Sequence, residues 1–271
     1  MISATTISPL NRRIVDGVPS FVGLLDTYPN ATAAYSVRRL SSTYDGALMQ
    51  VRIDTVGQPL YDIGFDANGD LDTADLISKA AGNDAFVRTW YDQSGNEVNF
   101  QQTTTSQQPK IVSSGSIIQD NSKPLISNVN GSTELVSSLS GNANRWIFGV
   151  IRVPSGVISC FYFAAPNNYV AISQNGSFST FVNGATLNKI YKDGAVITAS
   201  RDSMYDNFLT SGVLTVDIND SSFSSITLGY GAAGSLGMNN SQELIFYNSD
   251  QASNKSGIET LIANYYEITL P

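Results

Sequence analysis

The chain alternates short runs of β-branched and aromatic residues with polar ones over most of its length. Such runs fall at Leu48 to Ile53, Ala85 to Tyr91, Trp146 to Val153, Ser159 to Phe163, Tyr169 to Ser173 and Phe178 to Val182. Others follow at Lys189 to Lys192, Ala195 to Ser200, Leu214 to Ile218, Ile226 to Tyr230 and Glu243 to Tyr247. Alternation of this kind suits a pleated strand, and the pairs Asn175-Gly176, Asn183-Gly184 and Asp193-Gly194 supply the positive φ of tight hairpin turns. Many short strands separated by turn chemistry predict an all-β antiparallel sandwich or barrel.

Helical periodicity is scarce, and one to three short helices are expected. Asp70 to Ala81 brings Leu71, Ala74, Leu76, Ile77 and Ala80 toward one face, with acids in its first turn and Gly82 after its end. Asp250 to Tyr266 does the same with Ile258, Leu261, Ile262 and Tyr265. A third helix over Ala33 to Tyr44 would turn Val37 and Leu40 inward and Arg38 and Arg39 outward. Pro9, Pro19 and Pro29 break up the first thirty residues, so residues 1–30 are expected as an arm and residues 31–271 as the sandwich. Ile14, Val15, Val18, Phe21, Val22, Leu24 and Leu25 would be exposed on an isolated arm. Surface of that kind needs a partner, and the arm is expected to anchor the chain to other subunits or to join copies of it into a homo-oligomer. Gln101 to Gln108 lacks any period and reads as a loop.

Composition narrows the chemistry. Charged residues make only 14% of the chain, while Ser, Thr, Asn and Gln make 89 of its 271 residues, so the surface is rich in hydroxyls and amides. The net charge of −8 repels a phosphate backbone, which argues against nucleic acid as a partner. No apolar stretch approaches the ~18 residues of a membrane span. Histidine is absent, which removes Ser-His-Asp and Cys-His catalysis and His-ligated zinc. An enzyme built from this chain must run on carboxylates. No cofactor motif is present, and the N-terminus lacks an apolar signal segment, so synthesis in a cytoplasm is expected. Cys160 has no partner for an internal disulfide, and its neighbours Ile158, Phe161 and Phe163 predict a buried, inert thiol.

Three segments carry candidate chemistry. Asp66, Asn68 and Asp70 stand at alternate positions, as at the start of a calcium loop. Leu71 then replaces the glycine and Ile77 the bidentate glutamate that such a loop requires, so the favoured reading is an acidic turn capping a helix that starts near Asp72. In Trp90-Tyr91-Asp92-Gln93-Ser94-Gly95-Asn96, an aromatic strand runs into a polar turn. Tyr91, Asp92, Gln93 and Asn96 could bind a sugar, but short polar side chains that satisfy nearby amides make a structural turn the favoured reading. Only one of the adjacent Trp90 and Tyr91 can enter the core. Asp202 to Asn207 and Gly229 to Asn240 read as loops after strands, and they add Asp206 and Tyr230 to the sugar-binding candidates. The glycine segment has no lysine with which to cradle a phosphate.

Ala33-Ala34-Tyr35-Ser36, Arg39-Leu40, Tyr44-x-Gly46-Ala47-Leu48-x-Gln50-Val51-Arg52, the Trp90 to Asn96 segment and Leu228-Gly229-Tyr230-Gly231 together resemble the catalytic domain of fungal-type α-L-arabinofuranosidase B. The likeness is densest over residues 31–105. It implies a concanavalin A-like, laminin-G-like jelly roll. Leu24-Leu25-Asp26-x-Tyr28-Pro29 and Asp62-Ile63-Gly64-Phe65-Asp66 are similar to a variant of this module in bacteriophage virion and tail proteins. The family is a retaining glycosidase with two facing carboxylates. The resemblance puts Ala233 at the position of its acid/base aspartate, and the strand Arg145-Trp146-Ile147-Phe148, nearest to that of its nucleophilic glutamate, carries no acid. The family's disulfide cysteines are missing as well. The implied protein is a non-catalytic structural or adhesion module exposed on a phage particle, with host-surface glycan as its ligand. The alternative is a glycoside hydrolase of arabinofuranosidase type drawing on Asp92, Glu134, Asp202, Asp206 and Glu243.

Overall fold

The computed structural model describes residues 12–15, 18–129, 131–140, 145–156, 159–165, 169–173, 186–219, 225–229 and 237–271. Two sheets dominate it, one of 11 strands and one of 6. Neighbouring strands pair antiparallel throughout, apart from the parallel pair of Ser159–Ala165 with Gly237–Met238. The expected all-β sandwich is the observed architecture.

Alternation placed the strands well. Met49–Ile53, Ala85–Trp90, Arg145–Arg152, Ser159–Ala165, Tyr169–Ser173, Thr186–Lys192, Gly212–Asn219, Ser225–Leu228 and Asn240–Tyr247 all fall on the runs read from sequence. Asp193 and Gly194 turn the chain between Thr186–Lys192 and Ala195–Val196 with φ of +50° and +86°, the geometry their side chains favour. Phe178 to Val182 and the pairs Asn175-Gly176 and Asn183-Gly184 lie outside the described residues.

Arg145–Arg152 and Asn240–Tyr247 are buried almost end to end, because they sit mid-sheet with the core on one side and a helix on the other. Four helices occur among the described residues: α1 (Leu24–Thr27), α2 (Thr73–Ala80), α3 (Arg201–Asn207) and α4 (Lys255–Tyr266). α4 buries Ile258, Ile262, Ala263 and Tyr266 against the smaller sheet. α2 begins where expected, with the Asp72 carboxylate accepting from the Asp75 amide at 2.9 Å.

Two helix readings need correction. Ala33 to Tyr44 is no helix: Ala33–Ser36 is a fully buried strand on the edge of the smaller sheet, paired with Glu243–Phe246. Partners distant in sequence override its local helical spacing. Asp202 to Asn207 is no loop, since Ser200 caps α3 by accepting from the Ser203 amide at 3.0 Å, and Met204 and Tyr205 are buried. Residues 22–30 run along the sandwich, with Leu24 buried and the Leu25 amide bonded to the Leu40 carbonyl at 2.8 Å. Arg12–Val15 and Val18–Phe21 pair antiparallel as a separate two-stranded sheet.

The core between the sheets centres on Tyr35, whose ring lies 4.4 Å from that of Phe100 and 5.8 Å from that of Trp90. Among the described residues seven tyrosines have a raised pKa, with burial as the leading cause. Tyr44 and Tyr91 are pushed up to about 12, and Tyr35, Tyr191, Tyr247, Tyr265 and Tyr266 are also raised. In the unfolded chain they ionise near pH ~10, so above that pH the unfolded state binds fewer protons and stability falls as pH rises. Ultraviolet titration of tyrosinate should therefore show these side chains ionising together with loss of near-ultraviolet circular dichroism. Smooth ionisation of all tyrosines near pH ~10 with the fold intact would contradict the packing described here.

Candidate functional site

The Trp90 to Asn96 segment works on the backbone. Trp90 is fully buried and donates from Nε1 to the Ser36 carbonyl at 3.1 Å, while Tyr91 points to the outer face. The Asp92 carboxylate, 5% exposed, accepts from the amides of Ala34 (2.8 Å), Ser94 (2.9 Å) and Val98 (3.3 Å) and from the Ser94 hydroxyl (2.7 Å). Gln93 accepts from the Leu40 amide at 2.8 Å, donates to the Arg38 carbonyl at 2.9 Å, and bonds the Ala34 carbonyl through its own amide. Asn96 donates to the carbonyls of Ala31 and Thr32. These groups stand in for a strand beside Ala33–Ser36 and close the edge of the smaller sheet. The four bonds to Asp92 fill its carboxylate, and Gln93 is buried, so neither side chain presents a polar group to a sugar.

The other candidates scatter. Asp206 lies on the exposed side of α3, which packs on Tyr169–Ser173. That strand is five places along the larger sheet from Ala85–Trp90, or ~24 Å at ~4.8 Å per strand, so Asp206 and Tyr91 share no site. Tyr230 and Ala233 lie outside the described residues, as does the side chain of Cys160. Asp66 turns its carboxylate onto the amides of Asn68 (2.8 Å) and Asp70 (3.0 Å), whereas Asp70 accepts from the Tyr265 hydroxyl at 2.6 Å. The partial calcium set is thus an acidic turn whose carboxylates face different partners.

Glu243 is fully buried, and both of its oxygens take the Arg38 guanidinium, at 2.8 and 3.0 Å. The Ser36 hydroxyl donates to it at 2.7 Å and the Tyr266 hydroxyl at 3.2 Å. Glu134 accepts from the side-chain amides of Gln102 and Gln107, each at 3.2 Å. Of the acid pool read from sequence, Asp92, Glu134 and Glu243 are therefore committed to structural partners.

An open surface remains on the outer face of the larger sheet. Register places Asp62 opposite Gln50, Gln50 opposite Thr89, Thr89 opposite Gln101, Gln101 opposite Val136, and Val136 opposite Thr227, giving one transverse row. At one end the Tyr91 hydroxyl donates to Asp62 at 2.8 Å, Gln50 donates to Asp62 at 3.1 Å, and Arg88 donates to Gln50 at 2.6 Å. Toward the middle lies a groove of about 400 Å³ lined by Glu97, Asn99, Gln101, Val136, Ser137, Ser138 and Ser225. It offers amides, hydroxyls and one apolar side chain, with Glu97 as the single carboxylate among its described lining residues. Of this face the sequence reading found only Tyr91. Gln50 was detectable as the polar member between Met49 and Val51, but Gln101 sits in a polar run with no period.

No family profile matches the chain, and no curated protein matches its sequence. Among solved structures, it is similar to a GH54 α-L-arabinofuranosidase soaked with a cyclic sulfate inhibitor, with a TM-score of 0.55 and 16% identity over 86% of this chain. A mutant GH54 arabinofuranosidase soaked with 4-nitrophenyl α-L-arabinofuranoside matches with the same figures. The match spans 63% of the length of each of those chains. The likeness is one of fold, the sandwich of those catalytic domains.

Proposed function

We propose that this chain is a non-catalytic carbohydrate-binding module that lays a glycan along the outer face of its larger sheet. The observation that carries the reading is the groove at Gln101 and Val136, with its amides and hydroxyls and a lone carboxylate, Glu97. Sugars are bound by planar hydrogen-bonding groups held on a rigid frame, and the paired strands supply the frame. Retaining hydrolysis needs two carboxyl groups ~5–5.5 Å apart, and the buried acids named above are tied to structural partners. The proposal extends to an adhesion or architectural subunit of a bacteriophage particle, attached to other subunits or to copies of itself through residues 1–30. The phage assignment comes from the sequence resemblance, and attachment through residues 1–30 from the prolines and apolar residues of that segment.

A second reading is a glycoside hydrolase acting on surface polysaccharide. Similarity favours it, since both neighbours named above are arabinofuranosidases. It requires a second acid beside Glu97 that the described lining of the groove does not supply. Native affinity electrophoresis in arabinan or arabinoxylan addresses the binding claim. The full chain should be retarded, and the pair Gln101→Ala with Val136→Ala should weaken retardation about tenfold. Equal mobility of the unmodified protein with and without either polysaccharide would count against the proposed face.

A further inference from the structure

A second cavity lies on the side of the sandwich that α4 covers, away from the outer face of the larger sheet. It measures about 380 Å³, within the range of small-ligand sites. Its walls come from segments far apart in sequence: the end of the strand Val18–Phe21, the strand exit at Arg38 and Arg39, the 68–70 turn, Lys123, and α4 at Leu261 and Tyr265.

These walls are held in place. Arg38 is fixed from behind by Glu243, and its guanidinium carbon lies 4.3 Å from the centre of the Tyr265 ring. The Tyr265 hydroxyl bonds Asp70, and Lys123 sits 4.0 Å from the centre of the same ring and 3.6 Å from Asp70. The hairpin that carries Lys123 is clipped by Gln242, whose side-chain amide donates to the carbonyls of Asp120, Lys123 and Pro124. Gly69 has φ of +86°, and a Cβ there would come within 2.9 Å of the Phe21 ring, so the wall closes only with glycine at that point. A cavity set this firmly needs little reorganisation to receive a ligand.

Charge indicates the ligand class. Arg38 is balanced by Glu243 and Lys123 by Asp70, and the remaining lining charges, Arg39 and Glu267, are opposite in sign. With Glu243 counted behind Arg38, the charged groups at the cavity sum to zero, so it has no net charge with which to select an ion. Polar side chains of both kinds, among them Asn68, Lys123, Asn264 and Glu267, line it beside the apolar Phe21, Leu24 and Leu261. A neutral ring bearing hydroxyls, each of which both donates and accepts, matches that lining. We infer that the cavity between Phe21, Lys123 and α4 binds one neutral monosaccharide unit, as a subsite separate from the outer-face groove. The inference deepens the carbohydrate-binding reading and rests on it for the choice of ligand, while its location is independent of that groove.

Amide chemical shifts of the isotope-labelled full chain, titrated with L-arabinose, D-xylose, D-galactose or D-glucose, test it. At least one of these sugars should shift the amides of Gly69, Lys123 and Asn264 in a saturable way. Asn264→Trp, which fills the mouth from the exposed side of α4, should weaken that response about tenfold, and Val136→Ala on the other face should leave it unchanged. Shifts confined to Gln101 and Val136 would overturn the inference while leaving the outer-face proposal standing. Responses at Gly69 and Lys123 to sodium gluconate but to none of the neutral sugars would overturn the ligand class. Changes that follow protein concentration alone would identify the cavity as a contact between copies.

Discussion

Replacing Glu243 with glutamine is expected to cost about 3–5 kcal/mol of folding stability, because it removes the counter-charge of the Arg38 guanidinium from a fully buried position. The Glu243 side chain has no exposure and that of Arg38, which lines the cavity beside Tyr265, only 13%, so solvent replaces little of the lost carboxylate's charge. The substitution also weakens the acceptor for the Ser36 and Tyr266 hydroxyls. Urea unfolding measures the loss. The double change Arg38→Met with Glu243→Leu should cost less than Glu243→Gln alone, since removing both charges removes the desolvation penalty with them. A loss below about 1 kcal/mol for Glu243→Gln would mean that the pair behaves as a surface ion pair, contrary to its burial.

Asp92→Ala should be nearly as severe, at about 2–4 kcal/mol, because the amides of Ala34, Ser94 and Val98 lose their acceptor together. Asp92→Asn keeps one acceptor oxygen and should lose about half as much. Hydrogen exchange supplies a local readout. The Ala34 amide should be protected in the unmodified protein and should exchange rapidly in Asp92→Ala, before global unfolding. Unchanged stability with loss of glycan binding would instead make Asp92 a ligand contact.

These two sites show what local sequence carried and what it did not. The strands were legible because alternation is a local signal, as in Met49–Ile53, and Asp193-Gly194 specifies its own turn. The turn chemistry of Asp92 was legible for the same reason, and so was the opposite facing of Trp90 and Tyr91. Ala33 to Tyr44 misled because Val37 and Leu40 lie three apart, while the groups that extend this segment, Asp92, Gln93 and Glu243, are 50 or more residues away in the chain. The Arg38 and Glu243 pair was hidden by its separation of 205 residues. α3 escaped notice because only Met204 and Tyr205 of its seven residues are buried, too few to set a period. The outer-face row is likewise a product of register: Gln101 meets Val136 only after the strands have paired.

The claim that this sandwich binds sugar without cleaving it is tested most directly by turnover of 4-nitrophenyl α-L-arabinofuranoside. The full chain should release nitrophenolate no faster than buffer alone, since one groove carboxylate cannot both attack and protonate. Saturable release that disappears on changing Glu97, Asp206 or any other single carboxylate to its amide would contradict the account and establish a hydrolase.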